Sequence, residues 1–180
     1  MSKFLFIKEA MTNFKQVGAI ASSSRFLAKK MMFSMRFHRD NIVVELGSGD
    51  GYLTKHLLSK LSKKSKLYIF EINDNFLHLL KKKVDDRLIV INESAAILDQ
   101  YLQPESADYI ISSLPLANIS AEVKNDIITQ ACKVLKKDGL FVQYQYSLVD
   151  YAKLKKHFSE VKLVFTLLNI PPAFVYICKK

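Results

Sequence analysis

The sequence predicts an α/β domain: a mixed, mostly parallel sheet of seven strands with helices on both faces, an antiparallel last strand, and basic helices at the amino terminus. Three observations predict it. The run Ile42, Val43, Val44 and Leu46 reads as a buried strand that a glycine-rich turn, Gly47 to Gly51, converts into a helix near Tyr52. After it, apolar runs of strand length alternate with helical stripes, which is the pattern of a parallel βαβ series. Finally, two strand-like runs near the carboxyl terminus have no helix between them, so they must form an antiparallel pair at the sheet edge.

Residues 1–40 are expected to form basic amphipathic helices, and residues 41–180 the ligand-binding domain. Phe4, Ile7, Met11 and Phe14 recur at helical steps among Lys3, Lys8 and Lys15, and Gly18 ends that helix. Ser22, Ser23 and Ser24 offer N-caps for a second helix through Phe26, Leu27, Met31 and Met35. Beyond the glycine turn, Leu53, Leu57, Leu58 and Leu61 make a helical stripe. A strand is predicted over 67–72, a helix over 76–84, a strand over 88–91, a short helix over 95–102 and a strand over 109–111. A helix over 121–135, a turn at Lys137 and Asp138, a strand over 139–146 and a helix over 151–158 follow. The last strands are predicted at 162–168 and 174–178, around Pro171 and Pro172.

The ligand of the glycine turn follows from spacing and charge. A dinucleotide fingerprint needs a further glycine where Tyr52 stands, and Glu45 and Asp50 beside the turn would repel a pyrophosphate. Glu71 closes the second strand run, where a carboxylate can accept two ribose hydroxyls. A ligand with a ribose and a positive charge suits all three acids. The pattern resembles the S-adenosylmethionine site of the Rossmann-like class I methyltransferases, whose cofactor joins a ribose to a sulfonium. The plainer alternative is a tight strand-to-helix turn with no ligand.

The fourth strand runs into Ser112, Ser113, Leu114, Pro115, Leu116, Ala117 and Asn118, at the sheet edge where a methyl acceptor would sit. Methyl transfer to nitrogen is an in-line displacement, and carbonyls and hydroxyls fixed by a proline turn can position the amine. Tyr146 is a further candidate, because an aromatic face attracts a methylated ammonium; core packing is its bland role.

Composition narrows the classes. With 180 residues and 49% hydrophobic content, one domain is expected, and the net charge of +10 points to an anionic partner. Much of the excess lies in residues 1–40, where eight Lys and Arg face only Glu9 and Asp40. Cys132 and Cys178 make no CxxC pair, which suits a reducing compartment, and no bilayer-spanning run or secretory signal is evident. The expectation is a cytoplasmic protein held peripherally at a membrane. His38, His56, His78 and His157 have no ligand spacing, so no metal is expected.

Several stretches together carry a more specific resemblance: FIKEAM, GAIASSSRFLAKKMM, VVELGSGDG, FEIN, SSLPLAN and NIPPAFVY. In this order they resemble the bacterial phospholipid N-methyltransferases, which convert phosphatidylethanolamine stepwise toward phosphatidylcholine. The resemblance implies an enzyme whose S-adenosylmethionine contacts come from Glu45, Gly47, Ser48, Gly49, Asp50, Gly51, Glu71, Ile72, Ser94, Ala95 and Ser112. It implies that the loop of Ser112, Ser113, Leu114, Pro115 and Leu116 faces a head-group amine, and that the amino-terminal helices contact an anionic bilayer and help cover the cofactor. Family members carry an acid where Ser94 precedes Ala95, so adenine contact falls to Ser94 or Glu93.

The chain is similar, more distantly, to ribosomal RNA adenine dimethylases, which makes RNA the competing partner. Those enzymes place an aromatic where Leu116 stands, and its loss would cost a flipped base about 1 to 3 kcal/mol of stacking. The chain also ends at Lys180, leaving no expected RNA-gripping domain. A binding protein that keeps the cofactor fold without activity is the third reading.

Overall fold

The computed structural model describes residues 25–81, 85–167, 169 and 171–180. The amphipathic helix expected before Gly18 and the caps expected at Ser22 to Ser24 lie outside them.

The first described helix, α1 (Arg25–Met32), buries Leu27, Ala28 and Met31 and exposes Lys29 and Lys30. It is shorter than the predicted helix, which ran to Met35. Turn hydrogen bonds from Phe33 N to Lys30 O and from Met35 N to Met32 O replace the helical ladder there. The chain is then anchored at Arg36, whose N–H donates to the Tyr109 hydroxyl at 2.9 Å while that hydroxyl donates back to its carbonyl at 2.8 Å.

The elements that follow are β1 (Ile42–Leu46), α2 (Tyr52–Leu58), β2 (Lys66–Phe70), α3 (Asp74–Lys81) and β3 (Leu88–Ile91). A 3₁₀ segment (Ala95–Gln100) leads to β4 (Ala107–Ser112), a 3₁₀ turn (Leu116–Asn118) and α4 (Ala121–Val134). Then come β5 (Leu135–Gln145), α5 (Tyr151–His157), β6 (Glu160–Thr166) and β7 (Ala173–Lys179). All seven strands form one sheet in the order β3-β2-β1-β4-β5-β7-β6, in which β7 is antiparallel to both β5 and β6. The expected mixed sheet is therefore present, with β7 inserted between β5 and the edge strand β6.

Two further predicted elements differ. The turn at Lys137 and Asp138 interrupts no strand: β5 runs through it, and the register to β4 jumps from Ala107↔Leu135 to Tyr109↔Leu140. Asp138 has φ 65, so the turn signal marked a bulge inside a longer strand. The predicted helix over 95–102 is a 3₁₀ segment with non-helical backbone at Ile97, started by the Ser94 side chain accepting from Ala96 N.

The centre of the sheet is covered on both faces, as parallel strands require, while the edge strand β6 is largely exposed. Val44, Leu46, Phe70, Ile110, Phe141 and Tyr176 belong to a core with α4 and α5, while Val43, Leu67, Ile69, Ile111 and Val142 pack with α1 and α2 on the other face. Each fully buried Leu or Ile contributes about 1.5 to 3 kcal/mol. The strand order reverses between β1 and β4, and that switch point is where the sheet opens a crevice for a ligand.

Candidate functional site

The crevice is built around the glycine turn. Gly47, Gly49 and Gly51 all have positive φ, at 73, 54 and 75. At Gly47 the constraint is also steric, because a Cβ would lie 2.8 Å from Leu114 Cδ2. Gly49 is different: nothing lies within 4 Å of its Cβ position, so the space beside it is open to a ligand.

Glu71, just past the end of β2, closes on this turn. Its Oε2 accepts from Gly49 N at 3.0 Å and from the Ser48 hydroxyl at 3.5 Å, while Oε1 accepts from Asn73 N at 2.9 Å. The carboxyl is 1% exposed, and this burial raises its pKa above the ordinary 4.5; the backbone donors of Asn73, Gly49 and Ile72 and the Ser48 hydroxyl oppose the rise.

Beside it lies a small recess, open to solvent, lined by Gly47, Phe70, Glu71, Ile72, Glu93, Ser94, Ala95, Leu114 and Ile127. Five of the predicted cofactor residues thus meet in one place: Gly47, Glu71, Ile72, Ser94 and Ala95. Both Glu93 and Ser94 line it, and the Ser94 oxygen already accepts from Ala96 N at 3.2 Å.

Other predicted residues lie elsewhere. Glu45 is buried, and Thr54 Oγ1 donates to its Oε2 at 2.7 Å, which ties β1 to α2; it is not among the residues lining the recess. Asp50 is exposed, and its Oδ1 accepts from Tyr52 N at 3.0 Å, so it supports the first turn of α2. Gly51 is the N-cap of that helix.

The loop after β4 has three differently placed polar groups. Ser112 is buried and its hydroxyl accepts from Leu114 N at 3.3 Å. Ser113 is half-buried, its N–H donates to Leu46 O at 2.9 Å, and its hydroxyl makes no hydrogen bond to the described residues. The Leu114 carbonyl accepts from Leu116 N at 2.8 Å and from Gln143 Nε2 at 2.9 Å, which uses both of its lone pairs. Pro115 is half-buried, Leu116 is fully buried in the core, and Tyr146 stands edge-on to Tyr144 at 5.9 Å against the α1 face.

Gln143 was not singled out from sequence. An amide in the middle of the apolar strand run Leu140 to Tyr146 is its signal, since a buried amide needs partners. It supplies them to Leu114 O and, at 2.7 Å, to Tyr144 O. The signal for Phe70 and Ile127 was lost among ordinary core residues.

A glycine turn at the switch point, closed by a buried carboxylate from the neighbouring strand, stands on a sheet order of the Rossmann-like methyltransferase kind. The chain belongs to the methyltransferase small domain family, whose model matches residues 13–167. It is 28% identical over 182 residues to an ornithine lipid N-methyltransferase from Singulisphaera acidiphila, covering 98% of this chain and 95% of that one. It is 31% identical over 108 residues to a ribosomal RNA small subunit methyltransferase A from Pelagibacter ubique, covering 60% of this chain but 40% of that one. In fold it is similar to the Burkholderia thailandensis 1,6-didemethyltoxoflavin-N1-methyltransferase, solved with bound 1,6-didemethyltoxoflavin and S-adenosylhomocysteine. That likeness has a TM-score of 0.72 at 14% identity, over 96% of this chain and 84% of that one.

The chain is thus an S-adenosylmethionine-dependent methyltransferase, and its residues fit that cofactor on two counts. The open space at Gly49 leaves room against the backbone. The Ser48 contact to Glu71, at 3.5 Å, is long enough to give way to a ribose hydroxyl. Among the described residues no helix is long and apolar enough to cross a membrane.

Proposed function

We propose that this enzyme N-methylates the head-group amine of membrane lipids, phosphatidylethanolamine and its methylated products first among them. The observation that carries the reading is the end-to-end likeness to a lipid N-methyltransferase. The acceptor loop favours it too. At the position where a base-methylating site would need an exposed aromatic, Leu116 is buried and gives a flipped base nothing to stack on.

S-adenosylmethionine, when bound, supplies a methyl group on a sulfonium, which an amine nitrogen displaces in line. Glu71, Ser48 and the backbone at Gly49 would hold its ribose, and the apolar walls Phe70, Ile72, Ala95, Leu114 and Ile127 its adenine. Their task is to fix the reacting atoms in line, where much of the rate arises. With the Leu114 carbonyl already doubly occupied, the Ser113 hydroxyl is a group on the loop able to accept an N–H from a neutral amine. The amino-terminal residues Phe4, Ile7, Met11 and Phe14, with Lys3, Lys8 and Lys15, have the pattern of a helix that enters a bilayer interface.

A second reading, adenine N-methylation in RNA, draws on the likeness to the ribosomal RNA enzyme. One experiment separates them: incubation with labelled S-adenosylmethionine and either phosphatidylethanolamine vesicles, ornithine lipid vesicles or total RNA. Label in lipid amine supports the proposal and shows which head group is taken; label in RNA alone overturns it.

A further inference from the structure

The carboxyl edge of the sheet ends in an apolar corner away from the cofactor recess. The register sets Gln145, Phe174 and Phe165 in one row across β5, β7 and β6, so the end of β5, the start of β7 and the end of β6 share this edge. Four side chains protrude there: Leu148 at 46% exposure, Val149 at 73%, Phe165 at 49% and Leu167 at 71%. They are drawn together by the Tyr176 hydroxyl, which donates to Ser147 O at 2.7 Å, and by the Phe165 and Phe174 rings, 4.9 Å apart.

The exposed charges of the segment from Ser147 to Ser159 have one sign. The only acid from Ser147 to Ser159 is Asp150, and it is buried: Lys124 Nζ donates to its Oδ1 at 2.6 Å and Gln145 Nε2 to its Oδ2 at 2.9 Å. The adjoining helix α5 carries Lys153, Lys155 and Lys156 and no acid. Protruding apolar side chains beside a lysine-bearing helix suit an anionic lipid interface, where burial and charge attraction add.

We propose that this corner, formed by Leu148, Val149, Phe165 and Leu167 with the lysines of α5, enters the interface of an anionic bilayer and presents the carboxyl edge of the sheet to lipid head groups. The assignment rests on the lipid-amine reading and deepens it, because the corner lies on the same edge as the acceptor loop. A head group held in its bilayer then meets Ser113 without leaving the membrane.

The test compares the full chain with Leu148→Ser/Val149→Ser, with Leu167→Ser, and with Phe33→Ser as a control. Phe33 is 83% exposed but lies beside the segment tied to Tyr109, away from the corner. Measured are sedimentation with phosphatidylcholine–phosphatidylglycerol vesicles, S-adenosylmethionine affinity, melting temperature, and methylation of phosphatidylethanolamine both in vesicles and as short-chain monomers. Losing two inserted side chains is expected to weaken vesicle binding and vesicle methylation about tenfold, with Phe33→Ser unaffected. Cofactor affinity, melting temperature and monomer methylation should stay level. Unchanged vesicle binding overturns the proposal. So does a fall in melting temperature with unchanged vesicle binding, which would mean that another part of the chain covers the corner. Loss of RNA retention in place of vesicle binding overturns it as well. Failure of the lipid-amine reading is visible separately, as a parent enzyme that labels no lipid.

Discussion

The two ends of the sheet's carboxyl edge are held by opposite means. At the cofactor end, a buried carboxylate is satisfied by the main chain: Glu71 gathers N–H donors from Gly49 and Asn73. At the β5–β7–β6 corner, a buried carboxylate is satisfied by side chains: Asp150 takes Lys124 and Gln145. Glu71 lines the recess, where a ligand can reach it, whereas Asp150 is enclosed by its ion pair and is not among the recess-lining residues. If Glu71 holds the cofactor as proposed, the two ends should fail in different ways.

The largest expected effect is at the corner. Asp150→Ala leaves the Lys124 ammonium buried without its partner, which should lower stability by about 3 to 5 kcal/mol in denaturant titrations. Cofactor affinity of the fraction still folded should remain near that of the parent. A drop in affinity larger than the drop in stability would mean that the two ends are not independent.

At the other end the damage reverses. Glu71→Ala removes the acceptor for the ribose and should weaken S-adenosylmethionine binding on the order of 10- to 100-fold by calorimetry, at about 1.5 to 3 kcal/mol for hydrogen bonds to a charged group. Gly49→Val should act alike, because its branched side chain fills the open space beside the turn; the backbone strain at φ 54 adds about 1 to 2 kcal/mol to the folding cost. Variants that fold and bind like the parent would put the cofactor elsewhere.

Between the ends sits Gln143, whose amide holds the Leu114 carbonyl. Gln143→Leu should leave cofactor affinity unchanged and lower kcat on the order of tenfold through a loosened acceptor loop. Stability should change by less than about 1.5 kcal/mol, since the Gln143 Oε1 has no hydrogen-bond partner among the described residues and its loss offsets part of the broken bonds. An unchanged kcat would remove Gln143 from acceptor positioning.

This contrast also explains what was readable in advance. The sheet, its antiparallel end and the cofactor turn were legible because they depend on local rules: alternation of period, glycine at positive φ, and a carboxylate closing a strand. Ser94 and Ala95 came from the family resemblance alone, and both line the recess. The corner was not legible, because its apolar residues come from two segments about twenty residues apart that only the β5-β7-β6 register unites. Glu45 has a partner that the sequence did not show: strand alternation sends its side chain to the α2 face, where Thr54 Oγ1 donates to Oε2.

The smallest expected effect is a pH dependence that belongs to Glu71 alone. Its burial raises the folded pKa above the ordinary 4.5, so the folded state binds the proton more tightly than the unfolded chain does. The stability from this titration is complete below 4.5 and disappears as pH rises through the folded value. The melting temperature of the ligand-free parent, measured relative to Glu71→Ala, should therefore decline across that interval as pH rises. Cofactor binding has the opposite sign: ribose hydroxyls donate to the ionised carboxylate, so affinity should grow as pH rises through the same value. Asp150→Ala, tested for binding, should keep that affinity profile, since its carboxylate lies at the other end of the edge. A parent whose affinity and relative stability move in the same direction with pH would mean that Glu71 meets the cofactor in its protonated form, and the ribose contact would have to be redrawn with the carboxyl as donor.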